Sequence, residues 1–234
     1  MQSDVFSLHK ITDMGTIRMT VKAIDWTEGD VGKIHVKLNR GSCRIDWGDG
    51  KSTSLFTYTD DWVSSNHQYP SRCKVSGEMY EIKISSLEDN ITGFRVSSGD
   101  MMVADVDLSE CQSLEYIYSS WLIEKLDITT NPEIKEIDVS GDAADLVDLS
   151  QSTGLERLTC RFCKRKTLNL SKCNRLVYLD CRNNYSLKKL AISNRSVIKE
   201  VLLFETELDE RSMKYLEEAI ERNEGEIKMT ERLD

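Results

Sequence analysis

Leu168-Asn169-Leu170-Ser171-Lys172-Cys173-Asn174-Arg175-Leu176-Val177-Tyr178-Leu179-Asp180-Cys181-Arg182-Asn183-Asn184 is the stretch on which the fold is read. Its opening tetrapeptide recurs as Val106-Asp107-Leu108-Ser109, Leu126-Asp127-Ile128-Thr129, Val147-Asp148-Leu149-Ser150 and Leu190-Ala191-Ile192-Ser193. The starts of the five copies lie 20, 21, 21 and 22 residues apart. Eight residues after each start stands an aliphatic side chain (Leu114, Ile134, Leu155, Leu176, Ile198), and eleven after it another (Ile117, Ile137, Leu158, Leu179, Val201). Apolar positions held in register over five copies mark a structural repeat. A unit of about 21 residues cannot bury its own apolar edge, so successive units must stack and share one core. Inside each unit, runs such as Leu155-Glu156-Arg157-Leu158-Thr159-Cys160 end in the alternation of a short strand.

Outward from the repeats, Ile91, Phe94 and Val96 keep the same spacing and form a first, capping coil. At the other end Asp209 is placed to cap a helix carrying Met213, Leu216 and Ile220, with Asn223 and Gly225 as its stop and 226–229 as a last edge strand. The first 90 residues change period to two: Ile17, Met19, Val21; Ile34, Val36, Leu38; Cys43, Ile45, Trp47; Tyr80, Ile82, Ile84. Glycine-containing acidic turns at 27–30 and 48–51 separate these runs, which indicates an antiparallel β-sandwich. The chain is therefore read as mainly β with some α, divided into residues 1–90 (sandwich) and 91–234 (solenoid with a C-terminal capping helix). No Pro- or Ser-rich linker lies between the two parts.

The repeat resembles the short bacterial leucine-rich repeat, and the resemblance covers roughly residues 91–234. The run Ile45-Asp46-Trp47-Gly48-Asp49-Gly50-Lys51, followed by His67-Gln68-Tyr69 and Tyr80-Glu81-Ile82-Lys83-Ile84, is similar to PKD-type immunoglobulin-like domains over about residues 15–90. It departs from them in a longer aromatic stretch holding Phe56, Tyr58 and Trp62. Proteins of the leucine-rich type are mostly bacterial cell-surface interaction proteins, internalin-like ones included. The resemblance thus implies a non-catalytic adhesion or binding module at the cell surface or secreted. The alternatives are a cytoplasmic interaction scaffold or an accessory binding protein of a carbohydrate-processing system. The N-terminus carries no basic and apolar leader, and seven cysteines make an odd count, which weighs toward free thiols.

Composition limits the partners. Lys and Arg number 31 against 40 Asp and Glu, a net charge of −9, which without a Lys/Arg cluster argues against nucleic acid. No window reaches the ~18–20 apolar residues of a transmembrane helix. The Trp47-Gly48-Asp49-Gly50 turn lacks the ligand set of a calcium loop and is read as a tight turn with Asp49 capping backbone N–H groups. Cys160-Arg161-Phe162-Cys163, with Cys173 and Cys181, raises a zinc site. The repeat register assigns Cys160 and Cys181 to one inward position and Cys111 and Cys173 to another, so cysteine as a small hydrophobe is the favoured reading. His9, His35 and His67 are scattered, with His67 expected to pair with a turn carboxylate or backbone group. No nucleophile, phosphate-loop or paired-carboxylate motif appears, so no catalytic residue, cofactor or metal is assigned.

One surface remains. Strand side chains alternate faces, so the residues between the aliphatic positions point outward: Tyr116, Glu136, Arg157, Tyr178, Glu200; then Tyr118, Asp138, Thr159, Asp180, Leu202; then Ser120, Ser140, Arg161, Arg182, Phe204. Tyr and Arg often dominate binding energy at interfaces. The candidate ligand-binding residues are Tyr116, Tyr118, Arg157, Arg161, Tyr178 and Arg182, facing a protein or glycan ligand, with the aromatic stretch around Phe56, Tyr58 and Trp62 as fallback. The Asp107, Asp127, Asp148 row is expected to be solvated, and the Ser109, Thr129, Ser150, Ser171, Ser193 row to bond turn backbones.

Overall fold

A computed structural model describes residues 13–23, 32–69, 79–97, 101–119, 123–141, 145 and 147–230. His9, Ser120 and the turn expected at 27–30 lie outside the described residues. Among the described residues the protein is mainly β, with 51% strand and one helix longer than a turn, and it contains a β-solenoid of about five turns. In the solenoid, β5 (Ile91–Ser97), β7 (Tyr116–Ser119), β9 (Glu136–Ser140), β10 (Arg157–Arg161), β12 (Tyr178–Asp180), β14 (Glu200–Leu202) and β15 (Glu226–Lys228) pair in parallel. The Leu-Asp-Leu-Ser segments supply the other side of each coil: β6 (Met101–Glu110) with β8 (Leu126–Asp127), and β11 (Thr167–Leu170) with β13 (Lys189–Ile192). The ten aliphatic residues of the two repeat positions are at most 1% exposed. Each buried side chain of this kind contributes roughly 1.5–3 kcal/mol through removal from water.

The N-terminal strands are antiparallel and belong to the same 13-stranded sheet as the parallel layer. β1 (Gly15–Ala23) pairs with β4 (Met79–Ser86) and with β6. β2 (Gly32–Asp46) is the connecting strand. Lys33–Leu38 pair with β5, whereas Arg44–Asp46 pair with β4. It turns between the two layers at Arg40 and Gly41, which take φ of 58° and 97°. The corner is tight, since a Cβ on Gly41 would lie 2.7 Å from Asn90 Nδ2, which itself donates to Arg40 O at 2.6 Å. β3 (Ser52–His67) pairs with β2 along its length. The period-two residues of these strands join the solenoid aliphatics in one continuous apolar core.

The turn after β2 closes as its residues require. Gly48 and Gly50 adopt φ of 77° and 87°, and Asp46 and Asp49 accept from the N–H groups of Gly48 and Lys51. His67 Nε2 lies 2.9 Å from Asp49 Oδ2, its ring stacks on Trp47 at 4.7 Å, and Tyr69 Oη donates to Trp47 O. At the far end Asp209 accepts from Ser212 N at 2.8 Å and caps α1 (Glu210–Arg222), which buries Leu216, Ala219 and Ile220. Asn223 is the C-cap, but Glu224 rather than Gly225 takes the left-handed conformation. Gly225 is required for a different reason: a Cβ there would lie 2.4 Å from Lys199 O.

Asp107, Asp127 and Asp148 are exposed, as expected, but they and not the hydroxyl row bond the turn backbones. Oδ1 of Asp107, Asp127, Asp148 and Asn169 accepts the backbone N–H of Ser109, Thr129, Ser150 and Ser171, at 2.8–3.1 Å. The carboxylates, being two residues ahead of the amide, close Asx turns that hydroxyls on the amide's own residue cannot reach. The Thr129 hydroxyl donates to the same Asp127 oxygen at 2.6 Å, and in the last copy, where Ala191 replaces the acid, Ser193 Oγ accepts from Arg195 N.

Candidate functional site: the outer face of the parallel layer

The pairing registers line up two rows on this face. One runs Trp62, Lys37, Gly93, Tyr116, Glu136, Arg157, Tyr178, Glu200; the other runs His35, Arg95, Tyr118, Asp138, Thr159, Asp180, Leu202. Neighbouring strands sit about 4.8 Å apart, which brings adjacent side chains within each row into reach of one another. The N-terminal strands β2 and β3 extend both rows beyond the repeats.

Five of the six expected residues share this face, in two groups. Tyr116 is half-buried with Lys37 Nζ 4.1 Å from its ring centre, and Tyr118 lies beside Trp62 with centroids 5.5 Å apart. Two strands away, the Arg157 guanidinium stacks 4.0 Å over Tyr178, while Arg161 Nε lies 3.8 Å from Asp180 Oδ2. Arg182 departs from expectation. It is only 7% exposed, with Nε and Nη2 at 3.0 and 2.8 Å from the Asp180 carboxylate, itself 2% exposed. Arg182 follows Asp180 by two residues, just past the end of β12, and the pair closes over itself. The guanidinium is therefore spent inside the protein. Leu202, the next residue of the row, is fully buried as well.

Trp62, Lys37, Arg95 and Asp138 complete the face. A Cβ on Gly93 would lie 2.8 Å from Trp62 Cη2 and 2.7 Å from Lys37 Cβ, so the missing side chain makes room for the indole. Tryptophan from a distant strand thereby reaches Tyr118, which unites the aromatic stretch and the repeat row in one surface. Phe56 and Tyr58 pack edge-to-face elsewhere on β3 and are 54% and 81% exposed. A glycine interrupting a row of long side chains was the available signal for Trp62, but it is readable only once the pairing of β3, β2, β5 and β7 is known.

Asp138 stands between the two groups and makes no hydrogen bond with a described residue. Burial holds its carboxyl above the usual range, the nearby Asp180 and Glu136 charges act in the same direction, and Arg161 and Arg95 oppose it. Burial likewise raises the Tyr118 and Tyr178 phenols. The face thus offers ring surfaces, forked cationic donors and an unengaged carboxylate, the means to bind a polar ligand.

The cysteines behave as ladder residues. Cys160 and Cys181 Sγ lie 3.5 Å apart on neighbouring coils, and burial pushes the thiols of Cys43 and Cys111 up to about 12 and that of Cys173 to about 11. Cys163, off the ladder, is buried too. Among the described residues no three His, Cys, Asp or Glu side chains are placed to hold a metal ion, and no helix is long and apolar enough to cross a membrane. No protein family, curated protein or solved structure matches this chain.

Proposed function

We propose that this protein is a non-catalytic binding module of the bacterial leucine-rich-repeat kind with a PKD-like N-terminal part. It takes a protein or glycan ligand on the outer face of the parallel layer. The observation that carries the reading is the Trp62–Tyr118 pair, with ring centroids 5.5 Å apart, which continues an aromatic and charged row across both halves of the chain. Half-exposed aromatic side chains in a row are unusual for plain surface, and Trp, Tyr and Arg are the residues that most often dominate interface energy. A location at the cell surface or outside the cell rests on the leucine-rich resemblance. A second reading, an intracellular interaction scaffold, draws on six described cysteines that are buried and unpaired, a pattern suited to a reducing compartment. The test is a panel of glycans and candidate protein ligands screened with wild type and a Tyr118→Ala/Tyr178→Ala variant. Truncating an anchoring ring costs ~2 kcal/mol or more, so the variant should lose most binding. A ligand held equally by both proteins refutes the face.

A further inference from the structure

The acidic balance of the whole chain conceals a basic segment. Residues 160–199 contain eleven Lys and Arg against a single acid, Asp180, and that acid is buried under Arg182. Its longest contiguous run is Lys164-Arg165-Lys166, and the other cations are spread over two coils. Several are internally engaged: Arg165 with Asp145, Lys188 with Glu207, Arg161 and Arg182 with Asp180. Lys189 is not. Its side chain, on the outer side of β13, forms no ion pair among the described residues and faces a groove of about 660 Å³ between the β11–β13 sheet and α1.

The opposite wall is one stripe of the helix. Arg211, Tyr215 and Arg222 recur at helical spacing and line the same groove, with the Arg211 guanidinium 5.6 Å from the Tyr215 ring centre and the ring 53% exposed. Ala191 and Asn169 contribute from the strands. Two carboxylates also border the groove. Asp209 is the helix cap on Ser212, with Lys189 and Arg211 near enough to help hold its carboxyl below the usual range, so the groove sets three cations against two carboxylates, Asp209 and Glu218.

We propose that this groove binds a linear anionic polysaccharide, one bearing carboxylate or sulfate groups. The ring offers a surface for the apolar face of a sugar, the guanidiniums and Lys189 match its acid groups, and the amide and hydroxyl lining suits its hydroxyls. An acidic peptide fits less well. A peptide adding to β13 would need strand-edge groups already taken, since Leu190 N donates to Ser212 Oγ at 3.1 Å and Lys188 O accepts from Asp209 N at 2.7 Å. Nucleic acid needs several stacking rings and a longer basic track, whereas Glu210, Glu217 and Glu221 lie on the same helix beside a single exposed ring. The groove lies on the other layer of the solenoid from the Trp62–Tyr118 face and does not depend on it.

Fluorescence polarisation with four labelled probes tests this: an oligogalacturonate, a heparin-derived oligosaccharide, a neutral malto-oligosaccharide and an oligothymidylate. Wild type should bind one or both anionic sugars at low salt, bind them more weakly at high salt, and bind the neutral sugar poorly. Lys189→Glu/Arg222→Glu should weaken that binding roughly tenfold or more, equivalent to about 1.4 kcal/mol. Arg211→Gln/Arg222→Gln should weaken it less but measurably, and Tyr118→Ala should leave it unchanged. All three positions altered in the groove are exposed, and unfolding midpoints matching wild type confirm intact folding. Failure of both anionic sugars to bind, equal binding of the neutral sugar, indifference to both groove variants, or tighter binding of the oligothymidylate would each overturn the proposal.

Discussion

Replacing Arg182 by Ala should behave as the loss of a buried charge partner and not as the loss of a binding residue. The Arg182 side chain is 8% exposed and that of Asp180 2% exposed, with two side-chain bonds of 3.0 and 2.8 Å between them. Removing one partner of a buried pair costs ~3–5 kcal/mol, because the remaining charge is left without compensation. Arg161, 3.8 Å from the same carboxylate, supplies part of what is lost, which places the expected cost near the lower end, about 3 kcal/mol. At ~2–4 °C per kcal/mol for a chain of this size, the melting temperature should fall by roughly 6–12 °C. Urea unfolding of Arg182→Ala, Asp180→Asn and an Asp180→Asn/Arg182→Met double variant isolates the pair. The double variant buries no charge and should recover most of the stability lost in Arg182→Ala. A loss below ~1 kcal/mol for Arg182→Ala, the range of exposed pairs, would refute the reasoning and return Arg182 to the ligand-facing set.

Asp138→Asn should leave the protein as stable at neutral pH or slightly more so while weakening ligand binding. A carboxyl whose folded pKa is raised loses stability as pH climbs from the unfolded value, about 3.9, and the amide removes that loss. Urea midpoints compared at neutral pH and near pH 4 check it; a large loss at neutral pH would contradict it. Gly93→Ala should displace the Trp62 indole at a cost of ~1–3 kcal/mol, visible as altered tryptophan fluorescence, and unchanged emission and stability would contradict the packing. Acidification carries the opposite sign to Asp138. Asp107 and Asp127 are held below the usual carboxylate range by bonds from Ser109 and Thr129, and Asp49 is held low because its His67 and Lys51 bonds outweigh burial. Their contribution is complete above the unfolded pKa and is lost as pH falls through the folded one, so stability should decline below about pH 4.

Much of the solenoid was legible because its information is local. Each coil repeats the same aliphatic positions within about 21 residues, and burial of Leu155, Leu158 and Cys160 follows from their spacing alone. Trp47, Asp49, His67 and Tyr69 were readable for a similar reason, since glycine turns and an alternating strand confine their directions. The candidate face was legible only as far as the repeats reach. Trp62, Lys37 and Arg95 enter it through pairings between β3, β2, β5 and β7, whose registers depend on the corner at Arg40 and Gly41. Arg182 was misplaced because alternation fixes the side of the strand a residue faces, not whether a neighbour such as Asp180 draws it down. The groove was not legible because its cations, Lys189 on β13 and Arg211 and Arg222 on α1, come together only when the helix packs on the β11–β13 sheet.

The most direct test of the ligand face is residue-resolved NMR with a ligand recovered from the binding panel. The four tryptophan indole N–H signals, with that of Trp62 assigned through Trp62→Phe, report the face without disturbing it. Saturating ligand should shift the Trp62 indole and the backbone signals of Tyr116, Tyr118 and Arg95 most, while Lys189 and Tyr215 stay in place. Shifts that spare Trp62 and Tyr118 and gather elsewhere would contradict the assignment.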